Sequence, residues 1–322
     1  MERIAVIGLG NISARHRRNL RQLHPKADIL AMAASGRPVT EPVADASLVL
    51  PSLEAVMAAA PDYAVIASPA PFHAQQAEPL LGAGIPCLIE KPLVAEAAQL
   101  ALLPQASKAV AAVGYCLRFL PAAGQLKALL QANALGQLLH VSVNVGQHLA
   151  QWRPHIDYRQ SVSANRHLGG GVLLELSHEL DYLQWLLGPL ALRHALLRGG
   201  NLLGVEVECG ADLCLTTQGG AVCQVHMDLL QSQPQRHCQI VGELGRLDWD
   251  LLANRLTLTT AQGQETLYSA PEWDKNGMYL AMLQSFEAQL NRPGPSSLCT
   301  LAEAAQTVHL IDLIKTEADW IP

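Results

Sequence analysis

Residues 4 to 16 read Ile-Ala-Val-Ile-Gly-Leu-Gly-Asn-Ile-Ser-Ala-Arg-His: a short apolar strand, a glycine turn and the start of a helix. This opening narrows the architecture more than any other stretch. Gly8 permits the tight turn, and Gly10 lets the backbone approach a pyrophosphate at the positive end of the helix that Asn11 and Ile12 begin. The third glycine of the pattern is replaced by Ser13. A glycine turn can also serve strand-to-helix packing alone, but its place directly after the first strand points to nucleotide binding.

The same alternation continues along the first third. Apolar runs at 4–7, 29–33, 64–67 and 87–89 are separated by helical segments at 14–23, 53–59 and 74–81. Near-continuous apolar strands divided by helices predict an α/β domain, a doubly wound parallel sheet covered on both faces. A helix rich in alanine and leucine from Glu96 to Ala106 and a last strand from Ala109 to Gly114 complete it, with the boundary near Arg118. A chain of 322 residues is long enough for two domains, here 1–118 and 119–322.

Beyond the boundary the periodicity changes. After a helix from Pro121 to Ala132, the stretches His140–Val145, Glu206–Thr216 and Ala221–Leu229 alternate in period two, the last two around a Gln218-Gly219-Gly220 turn. Further strands at His237–Val241, Gly245–Asp248 and Arg255–Thr260 predict an α+β domain built on a mostly antiparallel open sheet. The Thr300-Leu301-Ala302-Glu303 spacing is a capping box that starts a helix running to about Lys315.

Composition excludes several classes. A net charge of -6 supplies no basic field for nucleic acid. No apolar run is long enough to span a bilayer, and Met1-Glu2-Arg3 leads straight into a strand, so a cytoplasmic protein with no membrane partner is expected. The seven cysteines form no CxxC pair, which predicts neither disulfides nor structural zinc. His178-Glu179-Leu180-Asp181-Tyr182 begins like HExxH but lacks the second histidine, so no metal is expected.

Where an NAD-specific domain carries a carboxylate for the ribose diol, this chain reads Ala33-Ala34-Ser35-Gly36-Arg37. Ser35 and Arg37 could bind a 2'-phosphate, which favours NADP over NAD; the alternative is a solvated turn. Glu90-Lys91-Pro92 follows the apolar run at 85–89, so Lys91 ends a strand on the rim of the dinucleotide fold. A hydride leaves a carbinol carbon only if the hydroxyl proton leaves too, and a cation beside that oxygen stabilises the developing alkoxide. The plainer reading of Lys91 is a surface salt bridge with Glu90. On an expected helix from Val172 to Leu187, Glu175, His178 and Asp181 recur every three residues, a spacing that lets carboxylates orient an imidazole for acid–base work. A satisfied structural histidine is the alternative.

Taken together, the Gly8/Gly10 loop with His16, the Ala67-Ser68-Pro69 segment with His73, the Glu90-Lys91-Pro92 triplet, and Gly169-Gly170-Gly171 leading to His178 and Asp181 resemble the Gfo/Idh/MocA family of sugar oxidoreductases. The resemblance covers nearly the whole chain. It implies a Rossmann domain followed by a substrate-binding and oligomerisation domain, and hydride transfer between NAD(P) and a hydroxyl or keto carbon of a sugar or nucleotide-sugar derivative. It further implies cofactor contacts at Ser68, Pro69, His73, Glu90 and Lys91, with Lys91 reaching the reacting oxygen and Pro92 commonly cis. The family more often places its acid four residues before the histidine, whereas Glu175 stands three before, and Cys116 falls where asparagine is frequent.

The family uses the region before its glycine triplet around the substrate, here Trp152, Arg153, Asp157, Tyr158, Arg159 and Arg166. An aromatic with several arginines suits a sugar carrying phosphate or carboxylate, though a solvated basic loop or an oligomer contact would read the same. Two rival functions share the fold: a non-catalytic sugar-sensing protein, and a reductase of a non-sugar ring such as a tetrapyrrole. An apolar outer face on the second sheet is expected to build a homo-oligomer, dimer or tetramer.

Overall fold

Strands with no polar face to offer water build the first sheet. In the computed structural model, which describes residues 1–104, 107–152 and 157–322, these are β1 (Arg3–Ile7), β2 (Asp28–Met32), β3 (Leu48–Leu50), β4 (Tyr63–Ile66), β5 (Cys87–Ile89) and β6 (Ala111–Val113). They pair in parallel in the order β3-β2-β1-β4-β5-β6. Residues 4–7 of β1 and all of β4 are wholly buried, because helices α1 (Asn11–Leu23), α2 (Leu53–Ala58) and α3 (His73–Gly82) accompany them. α1 turns Ser13, His16, Arg17 and Leu20 inward at helical spacing. Strand order reverses between β1 and β4, so a crevice opens beyond their carboxyl ends, where Gly8 and Ser68 stand. β5 delivers Glu90 and Lys91 to the same edge, and the Lys91-Pro92 peptide is cis.

The helix expected over Glu96 to Ala106 is shorter. It is a 3-10 turn at Ala97–Leu102 opened by a Glu96/Gln99 capping box. Leu103 is already extended (φ -75°, ψ 140°) because the residue before Pro104 is barred from helical geometry.

The second sheet follows α4 (Pro121–Gln131). It comprises β7 (Leu138–Gly146), then, after α5 (Leu149–Trp152), α6 (Val172–Glu175) and α7 (Ser177–Leu187), the strands β8 (Leu190–Arg198), β9 (Gly210–Thr217), β10 (Val222–Asp228), β11 (Gln235–Gly242), β12 (Gly245–Asp250), β13 (Arg255–Thr260) and β14 (Gly263–Ser269). With β15 (Asp319–Ile321) they form nine strands in the order β14-β13-β12-β11-β7-β10-β9-β8-β15, antiparallel apart from β7–β10 and β8–β15. The alternation read from the sequence sets the register: Cys223, Val225 and Met227 of β10 are buried, while Val222 and Gln224 are exposed and His226 is half-exposed. Residues 206–209, expected in a strand, precede β9, which begins at Gly210.

Two expectations are corrected here. The outer face of this sheet is polar, not apolar: Ser142, Asn144, Asp212, Gln224 and His226 help line a shallow cavity of about 460 Å³. Period-two alternation puts mostly polar side chains on this face, with Leu196, Cys214 and exposed Val222 among them. The helix from Val172 to Leu187 is broken at Leu176 (φ -101°, ψ 23°), so Glu175 ends α6 and His178 lies in the first turn of α7.

The final helices are α8 (Gly277–Asn291) and α9 (Leu301–Glu317), the latter opened by the Thr300–Glu303 capping box. Residues 276–308 pack with residues 1–116, and residues 309–322 with residues 117–275, so the chain divides differently from a single cut near Arg118. The physical reason lies in α8, whose buried Phe286 meets the Tyr63 ring edge-on at 5.4 Å while Glu287 accepts the Tyr63 hydroxyl at 2.7 Å. Among the described residues no helix is long and apolar enough to cross a membrane.

Candidate active site

The glycine turn is built by steric demand. Gly8 adopts φ +115°, and a Cβ there would lie 2.4 Å from the Ala67 carbonyl oxygen. Ser13, in the place of the third glycine, is buried and donates to that same carbonyl at 2.9 Å, tying α1 to the end of β4. Gly10 caps α1 without a side-chain hydrogen bond, and a Cβ built on it would meet nothing within 4 Å. Exposed Asn11 and half-buried Ile12 follow. An uncapped helix N-terminus under open space fits the pyrophosphate of a dinucleotide.

The second-strand turn is held from beneath. Gln76 donates to the Ala34 carbonyl at 2.9 Å and accepts the Ser68 hydroxyl at 2.7 Å, linking the ends of β2 and β4. Ser35 and Arg37 are exposed on this turn, on either side of Gly36 at φ +67°. Buried Arg17 bonds the carbonyls of Ala44 (2.9 Å) and Gly8 (3.3 Å), and burial lowers its pKa. Neither Gln76 nor Arg17 carries a sequence signature, since each also bonds a main-chain carbonyl far along the chain, Ala34 for Gln76 and Ala44 for Arg17.

Pro69 precedes a 3-10 turn over Ala70–Phe72. His73 is buried, with Nε2 2.8 Å from the Ser68 carbonyl and Nδ1 3.0 Å from the Pro92 carbonyl. Burial lowers its pKa against the pull of these two carbonyls, and a neutral ring, which carries one N–H, donates to only one of them. Glu90 is likewise turned to protein partners: it is 7% exposed and 2.7 Å from His16 Nε2. Lys91 beside it is half-buried.

Asp181 is gripped by Arg118, whose Nε and Nη2 donate to the two carboxylate oxygens at 2.9 and 2.7 Å. Both side chains are 2% exposed. Glu179 makes a similar fork with Arg236 at 2.7 and 2.9 Å. His178 is 9% exposed and shares α7 with these two carboxylates, each of which is paired with an arginine from another element. Glu175 is half-buried. Each glycine of the triplet has its own reason: Gly169 adopts φ +80°, a Cβ on Gly170 would lie 2.5 Å from the Val162 carbonyl oxygen, and one on Gly171 would lie 2.4 Å from the Glu208 carboxylate, which accepts the Leu173 N–H at 3.3 Å. Burial raises the Glu208 pKa, although Lys315 and Arg166 pull the other way. Arg118, Arg236 and Glu208 were not legible as site residues, because nothing in sequence spacing announces a partner so far away.

In the arginine-rich stretch, Arg153 lies outside the described residues. Trp152 ends α5 and is half-buried. Asp157 caps the 3-10 turn Tyr158–Gln160 and pairs with Arg159 at 3.4 Å. Tyr158 donates its hydroxyl to the Leu203 carbonyl at 2.9 Å, and Arg166 donates to the Glu206 carbonyl at 2.7 Å. Arg159 and Arg166 are exposed, so their remaining donors face solvent.

Residues 2–115 match the oxidoreductase family with an NAD-binding Rossmann fold, and residues 124–248 match the GFO/IDH/MocA C-terminal domain. An inositol 2-dehydrogenase of Streptomyces avermitilis is 30% identical over 253 residues, spanning 69% of this chain and 70% of its own. Among solved structures, levoglucosan dehydrogenase in complex with NADH aligns at a TM-score of 0.85 and 18% identity over 98% of this chain and 96% of its own. The WlbA dehydrogenase from Bordetella pertussis, in complex with NADH and UDP-GlcNAcA, aligns at 0.79 and 20% identity over 98% and 96%. These two structures speak for the fold, and the sequence matches speak for descent. The chain belongs to the Gfo/Idh/MocA family of NAD-binding oxidoreductases.

Proposed function

We propose that this protein transfers a hydride between a nicotinamide dinucleotide, NADP in preference to NAD, and a hydroxyl or keto carbon on the ring of a sugar or polyol derivative. One observation carries the reading: Lys91 stands at the carboxyl end of β5, beside the point where strand order reverses, half-buried and backed by a buried carboxylate. Inositol, levoglucosan and UDP-GlcNAcA, named with the similar proteins, are all polyhydroxylated rings, which supports a ring alcohol here. Exposed Ser35 and Arg37, with no acid between Ala33 and Arg37, support a 2'-phosphate.

The bound nicotinamide supplies the hydride donor or acceptor. Lys91 Nζ holds the substrate oxygen and stabilises its alkoxide character. With Lys91 as the cation on that oxygen, His178 is the candidate to take the hydroxyl proton in oxidation and to return it in reduction. Asp181, itself held by Arg118, would orient His178, with Glu175 as a second candidate to tune that imidazole. The exposure of Arg159 and Arg166 supports a role for them in meeting an anionic group on the substrate, whether phosphate or carboxylate.

Fluorescence titration with NADPH and NADH tests the cofactor preference. Turnover of myo-inositol, levoglucosan, UDP-N-acetylglucosamine and its uronic acid, followed by nicotinamide absorbance, tests the substrate class. Lys91→Ala is expected to reduce turnover by about 10²–10⁴-fold, the usual weight of general acid–base catalysis. Tight NADPH binding without turnover of any ring alcohol or ketone would overturn the reading in favour of a sensing protein.

A further inference from the structure

The reaction outlined above leaves the Glu90 carboxylate without a task, yet the fold invests heavily in it. One oxygen accepts from His16 Nε2 at 2.7 Å, and the other accepts the Lys91 peptide N–H at 3.2 Å. His16 is wholly buried and lies 74 residues away in the sequence. Gly114 is close enough that a Cβ on it would lie 3.2 Å from the Glu90 carboxyl carbon. Tyr279 of α8 meets the His16 ring edge-on at 6.1 Å, with the Arg15 guanidinium 4.6 Å from the tyrosine ring centre.

Burial is the largest influence on Glu90 and pushes its carboxyl up. The His16 hydrogen bond and the Lys91 charge outweigh it and hold the group below its usual value, so it stays ionised. A carboxylate can only accept, so His16 carries the proton on Nε2. The other titratable groups around this point are His73 of α3, bonded to the Pro92 carbonyl, and Tyr279 with Cys116 beside it. Burial lowers the His73 pKa and raises that of Tyr279, so neither competes with Glu90 as a fixed charge at neutral pH.

We infer that His16 and Glu90 form one positioning unit for Lys91: the carboxylate holds the Lys91 peptide and sets a fixed negative charge beside its side chain, and His16 keeps that carboxylate in place. The inference deepens the role of Lys91 proposed above and rests on it. The adjacent anion attracts the Lys91 ammonium and fixes where it meets the substrate oxygen. Glu90 is thereby assigned to the lysine and not to the cofactor.

The test reads Lys91 directly. The chain has six lysines, so NMR of isotopically dimethylated lysines is sparse, and Lys91→Arg identifies the signal in question. Glu90→Gln is expected to lower the Lys91 titration midpoint by about one unit, the lower end for losing an adjacent opposite charge. His16→Leu should lower it as well, and His16→Gln, which keeps a donor, should restore it. In turnover, Glu90→Gln and His16→Leu should reduce kcat by about tenfold, matching one unit of lost preference, with the KM for NADPH nearly unchanged. A merely structural pair would shift melting temperature without moving the midpoint. Should His16→Leu fail to fold, the Glu90→Gln isostere carries the test alone. A Lys91 midpoint unmoved in folded Glu90→Gln overturns the positioning unit, whatever the turnover. Full activity in Lys91→Ala would instead overturn the role of Lys91 itself.

Discussion

Arg118 and Asp181 form a two-bond fork at 2.9 and 2.7 Å with both side chains 2% exposed, which makes their separation one of the most informative perturbations available. Arg118→Leu leaves a carboxylate buried without its counter-charge. Breaking such a pair from one side typically costs about 3–5 kcal/mol, because desolvation of the remaining ion is no longer offset. For a folding unit of this size each kcal/mol moves the melting temperature by about 2–4 °C, so a drop of about 6–20 °C is expected in calorimetry of the full chain. Arg118 also approaches the Trp185 ring at 5.6 Å, a contact that leucine partly replaces by burial. The double variant Arg118→Leu/Asp181→Leu removes both ions and should recover most of the loss, since well-packed apolar pairs often match buried ion pairs in stability. A single-variant cost below about 1 kcal/mol, or a double variant no better than the single, would refute the reasoning, because either result means the pair does not behave as a desolvated ion couple.

The glycines separate strain from access. Gly8→Ala forces a Cβ to 2.4 Å from the Ala67 carbonyl at φ +115° and should lower both the melting temperature and NADPH affinity, whereas Gly10→Ala, with nothing within 4 Å, should leave melting unchanged and weaken NADPH binding in a fluorescence titration. Arg37→Glu should raise the Kd for NADPH by about tenfold, the order of one lost charged contact, and leave the Kd for NADH nearly unchanged. His226 bridges Asp228 (2.9 Å) and Asp212 (2.7 Å), and the Asp228 hydrogen bond leads in raising its pKa from 6.5 to about 9. A histidine raised in the folded state contributes stability that is full below 6.5 and lost as pH climbs through about 9, so His226→Gln should flatten the pH dependence of the urea midpoint across that window. Solvent at this half-exposed face keeps the slope shallow.

The pattern of strands at 4–7, 29–33, 64–67 and 87–89 was legible because a strand buried on both faces must be apolar throughout, and no other element writes that signal in four-residue bursts. The hairpins of the second sheet were legible by period two for the same kind of reason. Short or atypical pieces were not. β3, β15 and the break at Leu176 carry no glycine, proline or periodicity to mark them, and β8 reads Leu-Ala-Leu-Arg-His-Ala-Leu-Leu-Arg, a composition equally suited to a helix. α8 was invisible for a related reason: its apolar residues cover several sides, so only its seat against Tyr63 gives it a face.

Residue types at special backbone positions belong to the sequence alone. Gly8 before a helix announces a dinucleotide fold, because it constrains φ and steric access at one place in the chain. Partnership between distant charges belongs to the tertiary structure. His16 with Glu90, Arg118 with Asp181 and Arg236 with Glu179 become neighbours only when the chain folds, and each pair holds a buried carboxylate. Burying a carboxylate is unfavourable unless a donor meets it, so folding selects the donor by geometry, and no local spacing rule can name it in advance.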